Sequence, residues 1–348
     1  MDKISYIVRR LLLAVPTFIG ITLVCFSLTR FLPGGPVEMR ILRMKGAGAA
    51  GEVGAVSASA KQVTESYRRE LETQFGFDKP IVVQYFNWLV KNKMGLSLTS
   101  YEYPNKTAWE LISSRLPVSI SFGLAAFLLT YLVCIPLGIA KALNHTRPFD
   151  SASSFIVFVA YAIPSFALAM LLKTLFCGTV DSCWDIFPLG GISGDFDYEP
   201  TFFEYIADRI RHMVLPVLCY VAGSFAMLTL LMKNSLLDQI SADYVRTVIA
   251  KGATRTRAVW VHALRNSLIP IATGLGPMIS LVFAGSIIIE TIFEIPGMGR
   301  LGWDALIGRD YAVFLALLAL TSIFQLVGNL ISDILYMFID PRIDFARR

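Results

Sequence analysis

The sequence predicts an all-α, polytopic membrane protein with six transmembrane helices. Three observations carry this. The chain of 348 residues is 55% hydrophobic and only 16% charged, too apolar for a soluble chain of this length. Its apolar residues fall in charge-free runs of about 20, the length that crosses a hydrocarbon core as a helix. Lys and Arg crowd into alternate loops, as expected when one face of a membrane retains positive charge.

The first span is Leu11 to Thr29, between Arg10 and Arg30. Its apolar run is longer than the core of a cleaved leader, and FLPGGPVEM holds no small-x-small site, so an uncleaved helix is expected. The second is Leu116 to Ala140. The third runs from Ser151 to about Val180, interrupted only by Lys173. The fourth is His212 to Met232 and the fifth Asn266 to Ile289. The sixth is Tyr311 to Ser332, continuing toward Ile339. Pro117, Pro136, Pro164, Pro216, Pro270 and Pro277 fall in these runs, where neighbours can satisfy the freed backbone groups.

With the N-terminus inside, fourteen Lys and Arg lie in the inner short segments, among them Arg9, Arg10, Lys141, Lys233, Arg246 and Arg342. Four lie in the outer ones: Arg209, Arg211, Arg300 and Arg309. Both termini are therefore expected to be cytoplasmic. The net charge of +5 resides in clusters beside membrane spans, which argues for a lipid bilayer and against nucleic acid as the partner.

The organisation expected is an N-terminal helix (1–30), a small helical cap outside the membrane (31–115) and a five-helix core (116–348). Within the cap, Met44 to Ala60 reads as a Gly/Ala/Ser-rich loop and Lys61 to Phe75 as a polar helix. Asp78-Lys79-Pro80 is a turn, Ile81 to Lys91 a short amphipathic helix and Thr107 to Ser114 a further helix.

Cys25, Cys134 and Cys219 sit in apolar runs and read as small packing residues. Cys177 and Cys183 flank a short outer loop where oxidation is permitted, and a disulfide and two separate thiols both remain open. No cysteine or histidine cluster suggests a metal. No phosphate-binding GxxxxGK[ST] loop occurs, so ATP binding by that route is not expected on this chain. Lys173 and Glu290 are ionisable residues within spans but near their outer ends. Snorkelling and contact with interfacial water account for them.

The most informative stretch is 238–266, the polar segment between the fourth and fifth spans. Val245, Val248 and Ile249 share one apolar face. Gly252 suits a position needing φ > 0, and Thr254 can cap a second helix whose apolar face is Ala258, Val259, Val261 and Leu264. The expected form is helix, glycine, helix, on the inner face.

The order of motifs resembles the B-type membrane subunits of type I ABC importers of the dipeptide/oligopeptide group. Arg9-Arg10 through Pro16, leading to Leu32-Pro-Gly-Gly-Pro36, is similar to that group's N-terminus. Phe75-Gly-Phe-Asp-Lys-Pro80 with Trp88 resembles its outer region. Ile295-Pro-Gly-Met-Gly-Arg300, then Arg309-Asp-Tyr311, resembles the loop before its last span, and Asp340-Pro-Arg-Ile343 its ending. The family's signature is approximately Glu-Ala-Ala, three residues, then Gly. Gly252 fits the glycine and Arg246-Thr247-Val248 takes the Glu-Ala-Ala place. The peptide subgroup commonly has Arg-Thr-Ala there, from which Val248 departs. Met44 to Ala60 and the C-terminal Arg342 to Arg348 look most like the Yej-type importers, associated with longer peptides and microcin C.

The resemblance implies the type I permease fold and a role in peptide import by alternating access. It implies a second, C-type permease as pseudo-twofold partner, two ATPase domains that carry the ATP, and a periplasmic peptide-binding protein. This chain would hold no cofactor of its own. The signature loop would be the coupling helix, with Asp243, Arg246, Thr247, Val248, Ala250, Gly252 and Ala253 its contact residues. Import of another small solute, such as a dipeptide or nickel, and a stand-alone carrier or channel are the alternatives.

Overall fold

The computed structural model describes residues 3–31, 79–103, 105–179, 184–194, 196 and 199–339. The loop expected at Met44 to Ala60, the helix expected at Lys61 to Phe75 and Cys183 lie outside these residues. Among the described residues there is no strand, only the isolated bridges Thr99–Thr107 and Cys177–Asp185.

The elements in order are α1 (Lys3–Phe31), α2 (Ile81–Phe86) running into a π-helical turn (Asn87–Lys91), α3 (Ala108–Leu143), α4 (Pro148–Ala162), α5 (Ser165–Phe176) and α6 (Phe202–Ser241). Next come α7 (Asp243–Ala250), α8 (Arg255–Arg257), a π-helical segment (Ala258–Ala263), α9 (Leu264–Ser267), α10 (Ile269–Thr273) and α11 (Leu275–Ala284). The chain ends in α12 (Ile287–Ile292), α13 (Met298–Ile307) and α14 (Tyr311–Ile339). Five helical stretches are long and apolar enough to cross a membrane, and a sixth span results if the bent pair α4 and α5 counts as one.

Three expectations are revised. The helix expected at Thr107 to Ser114 is not separate: it is the start of the 36-residue α3. Arg115 ends an apolar run, but a charge does not end a helix. The start is set by Thr107, whose Oγ1 accepts the Glu110 amide at 3.2 Å while the Glu110 carboxylate accepts the Thr107 amide at 2.8 Å. The third span is two helices meeting at 95°. Ile163, ahead of Pro164, is extended at φ −81°, ψ 119°, because the proline ring drives its predecessor out of the helical region. With 15 and 12 residues, neither half alone reaches the length of about 20 that spans a bilayer. The fifth span is broken by Gly285, at φ +70°, which separates α11 from α12.

The fourth span is far longer than its apolar run. Helix α6 has 40 residues, about 60 Å at 1.5 Å per residue, so it projects beyond a core about 30 Å thick. Its start is fixed by Glu204, whose carboxylate accepts from the Thr201 amide at 2.9 Å and hydroxyl at 2.8 Å.

Packing divides the chain into two units. The larger comprises Met1–Ala14, Arg115–Arg300 and Ile323–Arg348. One of its cores gathers Phe122, Leu215, Cys219, Phe293 and Ile295, and another Met232, Leu236, Val245, Ala258 and Ala263. Helices α11 and α14 approach through bare backbone: a Cβ on Gly276 would lie 2.7 Å from the Gly328 carbonyl oxygen. The smaller unit is Val15–Ser114 with Leu301–Ser322. Its core is Phe26, Trp88, Leu315 and Ala319, and the Tyr85 ring meets Phe26 edge-on at 5.5 Å. Asp310 starts α14 by accepting the Val313 amide at 3.3 Å, and it bonds the Ser100 hydroxyl.

Candidate functional site

The polar segment between α6 and the fifth span folds as helix, glycine, helix. Helix α6 stops because Ala242 turns extended, at ψ 148°, and α7 starts at Asp243. Gly252 has φ +93°, the region that glycine enters without strain. Its amide donates to Ile249 O at 2.9 Å and the Ala253 amide to Val248 O at 3.3 Å, the two bonds of a Schellman cap. Thr254 then accepts the Arg257 amide at 3.3 Å and opens α8.

One side of α7 is held and the other is free. Val245 is 2% exposed and belongs to the core around Met232 and Leu236, with Tyr244 and Val248 packed against it. Asp243, Arg246, Thr247, Ala250 and Gly252 are exposed, and Ala253 is half-buried. The Arg246–Asp243 pair, 3.7 Å apart, is open to solvent and adds little to stability. Ile249, expected beside Val245 on the apolar face, is 41% exposed. The second helix also differs from expectation. Val261 is 55% exposed, and Ala263 takes its place in the core beside Ala258 and Val259. The π-helical segment explains this, since its i→i+5 bonding sets Ala258 and Ala263 on one face.

A second polar cluster surrounds Glu290. Its carboxylate accepts the Arg300 amide at 2.7 Å, the Ser286 amide at 3.3 Å and the Ser119 hydroxyl at 3.2 Å. It is 2% exposed, so it does not reach interfacial water as expected from sequence. The break at Gly285 and the loop before α13 free backbone amides in an apolar setting, and the carboxylate satisfies them. Glycine makes the space: a Cβ on Gly285 or Gly297 would strike the Glu290 carboxylate. Lys173 likewise turns inward, donating to Ile292 O at 2.7 Å and pairing with Glu294 at 3.4 Å. Cys177 is a buried free thiol that donates to Pro188 O at 3.3 Å. A third cluster, Lys141–Asp150–Lys233, was not singled out in sequence, because each charge sits at the edge of an apolar run where charges are commonplace.

The model of a transport family, the binding-protein-dependent transport system inner membrane component, matches residues 134–345, which include the helix–glycine–helix segment and the Glu290 loop. The chain belongs to this family. Full-length relatives agree with the permease assignment. The chain is 36% identical to the peptidoglycan transport system permease protein YejB of Agrobacterium fabrum, over 99% of both chains. It is 38% identical to the inner membrane ABC transporter permease protein YejB of Escherichia coli O157:H7, over 99% of this chain and 100% of that one. It is 32% identical to the oligopeptide transport system permease protein AppB of Bacillus subtilis, over 98% and 99%. The permease is thus a multi-pass inner membrane protein, a transport subunit rather than an enzyme, and one that works with other subunits.

Proposed function

We propose that this permease forms one half of the membrane path of an ATP-driven peptide importer, and that residues 243–253 receive the ATPase. The observation that carries the reading is the two-sided character of α7. Val245 fixes it to the core while Asp243, Arg246, Thr247, Ala250 and Gly252 face outward. An element that transmits a push must be seated on the moving body and open to the pusher, and α7 meets both conditions. Val248 serves as seating and Ala253 ends the contact surface.

The cargo is proposed from the relatives. Oligopeptide transport in AppB and peptidoglycan transport in the YejB of Agrobacterium fabrum share a peptide-bearing load. Oligopeptides and microcin C-like peptides are the proposed substrates. The proposed partners are a C-type permease, two ATPase domains that bind the ATP, and a periplasmic peptide-binding protein. Both termini are proposed to be cytoplasmic, from the Lys/Arg bias of the loops.

The test is Gly252→Leu in the assembled transporter. No atom lies within 4 Å of a Cβ placed there, so the substitution acts through backbone strain at φ +93° rather than by a clash. ATP-driven peptide uptake into vesicles should fall at least tenfold while the chain still inserts. Wild-type uptake would sink the coupling assignment.

A further inference from the structure

Two lysines and a histidine from three segments converge on one buried carboxylate, Asp150. Lys141, near the end of α3, is 0% exposed. Its Nζ lies 3.1 Å from Asp150 Oδ1 and donates to Asp150 O at 3.0 Å, Ser153 Oγ at 2.9 Å and Ser154 Oγ at 2.7 Å. Lys233, on α6, donates to both Asp150 carboxylate oxygens at 2.8 Å. His145, in the turn between α3 and α4, stands 3.3 Å from Oδ2. Just before Lys141, Gly138 lets α3 and α6 meet: a Cβ there would lie 2.6 Å from the Met232 Cβ.

Such a cluster is directional in a way that apolar packing is not. Two ammonium groups share one buried carboxylate, and its negative charge offsets their repulsion. Removing it would leave two buried cations facing each other and drive α3, α4 and α6 apart. Lys233 is also eight residues, roughly 12 Å of helix, from the end of α6, where the chain turns into α7. The carboxylate therefore links the segment proposed to receive the ATPase to the ends of two other helices.

We propose that Asp150 is a positioning residue for energy coupling: it ties α3, α4 and α6 into one rigid body, so that a push on α7 moves all three. The inference rests on the coupling role proposed for α7. A loose tie would let α7 move while α3 and α4 lag, and ATP would be hydrolysed without matching transport.

The test measures peptide uptake per ATP hydrolysed by the assembled transporter in vesicles. Asp150→Asn should lower this ratio at least tenfold with hydrolysis retained, and Asp150→Glu should recover most of it. A residue that only holds the fold would lower uptake and hydrolysis together and leave the ratio unchanged; that result would overturn the proposal. If Asp150→Asn does not insert, Lys141→Met, Asp150→Leu and Lys233→Met combined leave no buried charge unpaired. The triple variant should assemble and hydrolyse ATP with the ratio still low. A wild-type ratio in it, or failure of both variants to insert, would equally overturn the tie. Gly252→Leu run alongside separates the two ideas. Lost uptake there with a normal ratio in the Asp150 variants faults the tie alone, whereas normal uptake there faults the coupling segment itself.

Discussion

The Ser119 hydroxyl donates to the Glu290 carboxylate at 3.2 Å and accepts the Met298 amide at 2.7 Å. One side chain near the start of α3 thus fixes both the acid of α12 and the first residue of α13. The loop between them is held by hydrogen bonds from all sides, with the carboxylate at its centre.

Removing that centre should be costly. Glu290→Ala strips the acceptor from the Arg300 and Ser286 amides in a buried site. Unsatisfied donors of this kind cost about 1–3 kcal/mol each, so a loss of roughly 2–6 kcal/mol is expected. Thermal unfolding of the purified transporter in detergent checks it. An unchanged midpoint would mean that water replaces the carboxylate.

One glycine beside the acid and one within α6 give a matched pair of variants. Gly297→Ala pushes a Cβ into the Glu290 carboxylate, whereas Gly223→Ala, within α6, meets nothing within 4 Å. The first should destabilise by about 1–3 kcal/mol. The second should be neutral or stabilise by up to about 1 kcal/mol, since alanine favours a helix over glycine. Equal midpoints for the two would refute the packing described for the loop.

Cys177 provides a reactivity test. The residue is 2% exposed, which shields its thiol from reagents in solution. A maleimide should label Cys177 slowly in the folded transporter at pH 7. After denaturation without reductant it should label fully. A residue that resists until reductant is added would instead be bonded, and peptide mass analysis would identify its partner.

Local signals were legible in the sequence and non-local ones were not. Gly252 and Thr254 were readable because a Schellman cap and an N-cap involve only residues a few positions apart. Pro164 was not. Whether a membrane helix absorbs a proline or breaks at it depends on which neighbours satisfy the backbone, and sequence alone does not show them. Counting along its span puts Glu290 near water, while the donors that hold it inside come from Ser119 and Arg300, distant in sequence or beyond the span. A period of 3.6 puts Val261 on the buried face, whereas the chain takes a π-helical step there and exposes it. On α7 the apolar spacing puts Ile249 beside Val245, yet Ile249 is 41% exposed and Val245 alone is deeply buried, a difference set by the non-local core around Met232 and Leu236.

The crossing of α11 and α14 carries one more consequence. Where Gly276 meets Gly328 there are no side chains to interlock, and a Cβ on either would strike the other's carbonyl oxygen. Helices that mesh through side chains resist turning, because each knob must leave its hole. The bare contact instead fixes the distance between the two rods, and the stacked rings of Phe283 and Phe324, 4.0 Å apart on the same two helices, hold the angle between them. A single methyl group at either glycine would wedge the two backbones apart and pull that ring pair open with them.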